Sequence, residues 1–277
     1  MKVFEKLFNF YLNSSIHVAL AVVALTYITF IEFDLKSDKN MLNFVFFATV
    51  TGYNFVKYFG VAKFHHRSLA GWLKTIQIFS FFAFLALCYF VLGLSHSTLI
   101  CIAVLAVITF LYAIPILPMR YFRDKKKNLR QISGLKVYVI AFVWTFTTVI
   151  LPLLANNIEI DTDVIVSSLQ RYILVIVLML PFEIRDLNFD SLKLGTIPQR
   201  IGIKNTKIIG VVLLLVFFLL EFFKDDLTTS ALLSSLGIIV LTLLFLVFSH
   251  RNQSKYYSAF WVESIPIFWL VFLLMFN

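Results

Sequence analysis

The chain has 277 residues, of which 60% are hydrophobic and 14% charged, and its mean hydropathy is +0.90. Soluble domains are nearer about 45–50% apolar and about 25% charged, so this composition excludes a soluble globular protein and predicts a single polytopic membrane domain over residues 1–277. The net charge of +9 needs an anionic counterpart, either nucleic acid or a lipid surface.

Apolar runs of about 17–23 residues, the length a helix needs to cross the hydrocarbon core, recur along the chain. They predict an all-α protein with nine transmembrane helices over Ser14–Ile31, Met41–Phe59, Trp72–Leu94, Thr98–Leu117, Leu135–Leu154, Ser167–Phe182, Lys207–Phe223, Thr229–Phe248 and Tyr257–Phe276. With a cytoplasmic N-terminus, 20 of the 24 Lys and Arg residues fall on the inner side and 4 outside. Nine acids lie outside, among them Glu32, Asp163 and Glu221. This is the positive-inside pattern, and an error in the number of spans would scramble it. The basic loops then face anionic membrane lipids, and no nucleic-acid partner is needed to explain them.

Met1 to Asn13 mixes Lys2, Glu5 and Lys6 with aromatics, which suits an interfacial helix before a retained first span. In the second span Asn54 is an amide among apolar residues; it faces either a cavity or a neighbouring helix. Lys57, Lys63, His65, His66 and Arg67 crowd the end of that span, where snorkelling toward lipid headgroups is the plain alternative to a site. Cys88 and Cys101 lie in apolar runs without metal-ligand spacing and read as packing residues. Pro115 and Pro118 end the fourth span. The segment from Arg120 to Lys136 then carries seven basic residues, the last of them placed to lean into the mouth of a bundle.

Glu183, Asp186 and Asp190 follow the sixth span at spacings of three and four, which on a helix puts them on one face. Arg185, Lys193, Arg200, Lys204 and Lys207 accompany them. Carboxylates beside basic residues suit a magnesium–phosphate site, because Mg²⁺ takes one or two carboxylates and completes its shell with water and substrate phosphates. A solvated helix end with local ion pairs is the competing reading. Glu263 lies inside the ninth span, where a carboxyl either serves function or is hydrogen-bonded in the packing.

The stretch Ile184-Arg-Asp-Leu-Asn-Phe-Asp-Ser-Leu-Lys-Leu-Gly-Thr-Ile-Pro-Gln-Arg-Ile-Gly202 resembles the second aspartate motif and following loop of the UbiA superfamily of intramembrane prenyltransferases. Leu111–Arg120 followed by Gly134-Leu-Lys136 is similar to that family's segment between spans four and five. The resemblance implies a nine-helix bundle around a central cavity in a bacterial inner membrane. It further implies that an isoprenyl group moves from a prenyl diphosphate to an aromatic or other lipid-soluble acceptor. It places Mg²⁺ on Asp186, Asp190 and Glu183, and the diphosphate against Lys63, Arg120, Lys136, Arg185 and Lys193. Asn54, Tyr58 and Glu263 are assigned as polar residues of the cavity. The family's first motif sets aspartates at four-residue steps after its asparagine; here those positions are Tyr58 and Ala62, and no acid occurs between Lys39 and Asp124. Lys57 and Lys63 stand there instead, which suggests ammonium groups doing the electrostatic work of a metal, with Asp186, Asp190 and Lys57 as catalytic residues. A terpene cyclase, a non-catalytic isoprenoid-binding or assembly protein, and a transporter are the other functions compatible with the sequence.

Overall fold

The computed structural model describes residues 2–58, 71–113, 134–189 and 195–276. Lys63, Arg120, Asp190 and Lys193 lie outside the described residues, as do His65 and His66. Among the described residues the chain forms ten helices and no strand. They are α1 (Lys2–Asn13), α2 (Ile16–Glu32), α3 (Lys39–Tyr58), α4 (Gly71–Val91), α5 (His96–Ala113), α6 (Leu135–Ala155), α7 (Thr162–Asp186), α8 (Ile197–Phe223), α9 (Thr229–Val247) and α10 (Tyr257–Phe276).

Helices α2 to α10 correspond to the nine expected spans. Seven helices are individually long and apolar enough to cross a membrane, and the bent pair α1–α2 makes eight. The remaining span is α3, a 20-residue helix diluted by Asn40, Asn43, Thr49, Thr51, Asn54 and Lys57. The protein is thus an integral, multi-pass helical membrane protein.

The sequence punctuates these helices through local chemistry. Asp161 caps α7, its carboxylate accepting from the Val164 amide at 2.9 Å. At the start of α8 the Thr196 amide donates to Gln199 Oε1 at 3.0 Å, and Pro198 fills the first turn. Gly202, at φ +78°, then kinks α8, a conformation open to glycine at little steric cost. Helices α6 and α10 each contain a π-helical turn, Phe146–Ile150 and Tyr257–Val262; the second directly precedes Glu263. Such turns re-aim side chains and recur at functional sites.

Helix α7 is the hub. Within its apolar window 72% of residues are buried, against 11% in α4 and 17% in α5, so α4 and α5 form the lipid-facing wall. Helix α7 packs on α6 and α8, α3 bridges α2 and α4, and α10 closes the ring between α2 and α9. Helix α1 is bent 53° from α2. Its Phe8 ring sits 5.4 Å from Tyr256 and 5.2 Å from Phe260, so α1 clasps the start of α10.

Helix α7 ends at Asp186, and the Phe189 amide donates back to the Asp186 carbonyl at 2.9 Å in a turn. Asn188 Nδ2 ties that turn to the Arg251 carbonyl and to Asn252 Oδ1, both at 3.2 Å. The expected shared face of Asp186 and Asp190 involves a residue outside the described ones.

Candidate active site

A cavity of about 990 Å³ opens between α3, α5, α6, α7 and α10. Its polar end is lined by Lys57, Lys136, Arg185, Asp186, Lys255, Tyr256 and Glu263, with Asn9 and Asn13 from the clasping helix. Its other walls are apolar, with Phe44, Phe84, Leu87, Ile102, Leu105, Val143, Leu151, Leu178 and Met179 among the lining residues. On α6 the lining runs from Lys136 to Leu151. At a rise of 1.5 Å per residue that is a depth of about 22 Å. Four cations and two carboxylates share the polar end, so the electrostatics favour an anionic head group with an apolar tail.

Each polar side chain has a structural reason for its place. Gly134, at φ +72°, turns the chain into α6 beside the Gly195 carbonyl, and two residues later Lys136 reaches the cavity. Lys136 Nζ lies 3.2 Å from Glu183 Oε1 and 3.6 Å from Asp186 Oδ2. Arg185 brings Nη2 to 2.8 Å and Nε to 2.9 Å from Asp186 Oδ1, and its guanidinium stacks 5.3 Å over the Phe182 ring. Lys57 donates to Ser15 Oγ at 2.9 Å while Ser15 Oγ donates to Asn54 Oδ1 at 2.8 Å. Glu263 reaches the cavity with no side-chain hydrogen bond or ion pair among the described residues.

The structure thus brings Lys57, Lys136, Arg185, Asp186 and Glu263 onto one wall. It places three other expected residues elsewhere. Asn54 is buried and satisfied: besides Ser15, its Nδ2 donates to the Ser14 carbonyl at 3.0 Å and to Ser80 Oγ at 2.8 Å, so it knits α2, α3 and α4 together behind the cavity. Tyr58 turns away to donate to the Asn13 carbonyl at 2.9 Å and to pack on Trp72. Glu183 is 1% exposed and faces Lys136 from behind the wall.

Of the residues expected to hold magnesium, Asp190 lies outside the described residues, among which no group of three His, Cys, Asp or Glu side chains could hold a metal. The two described donors do not fit the ion as they are placed: Glu183 faces Lys136, and both oxygens of Asp186 are engaged by cations.

Several residues escaped the sequence pattern. Ser15 is fully buried and sits at φ +64°, unusual for a non-glycine residue. Its only sequence signal is the Ser14-Ser15 pair between two helical runs. Tyr53 accepts from Trp144 Nε1 at 2.8 Å, and both line the cavity. Lys255 donates to Asn9 Oδ1 at 3.0 Å, fastening α1 to the cavity rim.

No protein-family model and no curated protein matches the sequence. Two solved structures do match in fold. One is a UbiA homologue from Archaeoglobus fulgidus bound to GPP and Mg²⁺, at a TM-score of 0.62 and 13% identity, covering 97% of this chain and 99% of that one. Another is a digeranylgeranylglyceryl phosphate synthase, at a TM-score of 0.56 and 15% identity, covering 98% of this chain and 97% of that one.

Proposed function

We propose, from the UbiA prenyltransferase fold that this chain has, that it binds a prenyl diphosphate in the cavity and transfers the isoprenyl group to a lipid-soluble acceptor. The observation that carries the reading is the polarity of the cavity, with Lys57, Lys136 and Arg185 at one end and apolar walls along about 22 Å of α6. The diphosphate sits among the cations and the tail among Phe44, Leu105, Val143 and Leu178.

The chemistry then follows from charge. The allylic C1–O bond breaks, its electron pair leaves with the diphosphate, and the fixed cations stabilise the charge that develops there. Aromatic and aliphatic walls keep water from the allylic cation. The acceptor's nucleophilic atom bonds to C1, and the proton it sheds passes to Glu263, the cavity carboxylate with no hydrogen bond or ion pair among the described residues. In the membrane the basic ends of the helices, with Lys57 and Asp186, face the cytoplasm, as the distribution of Lys and Arg requires; a bacterial inner membrane suits that orientation. A metal at Asp186 would have to displace Lys136 and Arg185, so the protein's own cations meet the developing charge.

Purified protein incubated with geranyl, farnesyl and longer prenyl diphosphates should release pyrophosphate when a lipid-soluble aromatic acceptor is present. Binding of those diphosphates without any release of pyrophosphate replaces the enzyme by a non-catalytic isoprenoid-binding protein. That second reading draws on the end of α3, where Lys57 and Tyr58 stand in place of carboxylates. Absence of binding overturns both.

A further inference from the structure

Resting on that reading of the pocket, we propose that Lys136 is a tethered cation in the position a divalent metal would need between Glu183 and Asp186, so that the pocket grips its diphosphate without magnesium. Lys136 Nζ is 3.2 Å from Glu183 Oε1 and 3.6 Å from Asp186 Oδ2. A metal chelated by both carboxylates has to lie between them, and the ammonium is already there. Mg²⁺ requires near-octahedral oxygen contacts at about 2.0–2.1 Å and sheds its water reluctantly. It can enter only by expelling a cation of the protein's own.

Three features make the exchange unfavourable. Glu183 is 1% exposed, so moving Lys136 away takes a counter-charge from a buried carboxylate. The other oxygen of Asp186 is held by Arg185 Nη2 and Nε at 2.8 and 2.9 Å. Lys136 also reaches its place from a different helix, through the Gly134 turn, so its position is part of the fold.

The same arrangement presents donors to an anion. An ammonium has three N–H groups and a guanidinium five. Lys136 lies within ion-pair distance of both carboxylates and Arg185 directs two N–H groups at Asp186, while both residues line the cavity. Lys57 spends one donor on Ser15 and lines the same wall. The carboxylates therefore act as anchors that orient cations, and the cations meet the phosphate oxygens.

The test is titration calorimetry of the full chain in detergent with geranyl diphosphate, in EDTA and in excess Mg²⁺. The expected result is a dissociation constant that differs by less than about threefold between the two conditions. Lys136→Met should lose about tenfold or more in EDTA and regain most of it with Mg²⁺, because the vacated position between Glu183 and Asp186 then accepts the ion. Wild-type binding weakened more than about tenfold by EDTA overturns the proposal while leaving the pocket assignment in place. A Lys136→Met protein equally weak with and without Mg²⁺ overturns the stand-in role; if that variant does not elute as a folded species, the wild-type comparison decides alone. No binding in either condition overturns the prenyl diphosphate reading itself.

Discussion

The bundle carries two clusters of opposite charges, one at each end, and they are built for different purposes. At the cavity mouth Lys136, Arg185 and Asp186 have 21–23% of their side-chain surface exposed and look into open space. At the other end Arg171 is 1% exposed and donates to the Leu25 carbonyl at 2.6 Å, with its guanidinium 3.7 Å from Glu32 and 5.1 Å over the Trp269 ring. Lys224 bridges Glu221 at 3.2 Å and Glu32 at 3.9 Å, and Gln170 donates to Glu221 at 2.6 Å. Among the described residues each charge of that cluster has an opposite charge beside it, although Arg171 Nε makes no hydrogen bond. The far cluster joins α2, α7 and α8, whereas the near one leaves donors over for a ligand.

The comparison can be broken most forcefully at Arg171. Arg171→Ala removes one partner of a buried pair and should cost about 3–5 kcal/mol. Thermal unfolding in detergent should show a large loss of stability, with geranyl diphosphate affinity unchanged below the transition. An affinity loss matching the mouth variants would erase the distinction between the clusters. Lys57→Ala should do the reverse, lowering pyrophosphate release about a hundredfold (about 2.7 kcal/mol), as severely as Asp186→Ala, with unfolding little affected. Turnover at the wild-type rate would remove Lys57 from the mechanism.

Asn54→Ala tests the boundary between the two kinds of residue. It strands Ser15 and leaves the Ser14 carbonyl without its donor, which predicts about 1–3 kcal/mol of destabilisation in the same melts. It should also loosen Lys57, whose anchor is Ser15, so the diphosphate dissociation constant should rise. The smallest effect is expected at Tyr53→Phe, which removes the acceptor of the Trp144 Nε1 hydrogen bond deep in the cavity. A stability loss of about 1 kcal/mol is expected, with diphosphate binding intact.

The helices were legible because bilayer crossing imposes a length and a hydropathy that local sequence must meet. Even so, the sixth span reaches four residues beyond its apolar run, to Asp186, since the last turn of α7 is buried on α6 and not in lipid. The site was legible only in part. Lys57, Lys136, Arg185 and Asp186 stand out as charges at helix ends, but Asn54 and Tyr58 announce polarity without announcing direction. Asn54 finds its partners 26 to 40 residues away, a distance no local pattern encodes. Nothing in the local sequence marks the partners of Arg171, and its burial depends on where Glu32 and Trp269 arrive.

What the sequence alone determined was the succession of apolar helices, because their length and hydropathy follow from transfer of residues between water and lipid. The tertiary structure decided which carboxylate meets which cation. Glu183 and Lys136 are 47 residues apart along the chain, and only the packing of α6 on α7 brings them to 3.2 Å. In a medium of low dielectric that pairing controls whether an acid is free to bind a metal or is already answered.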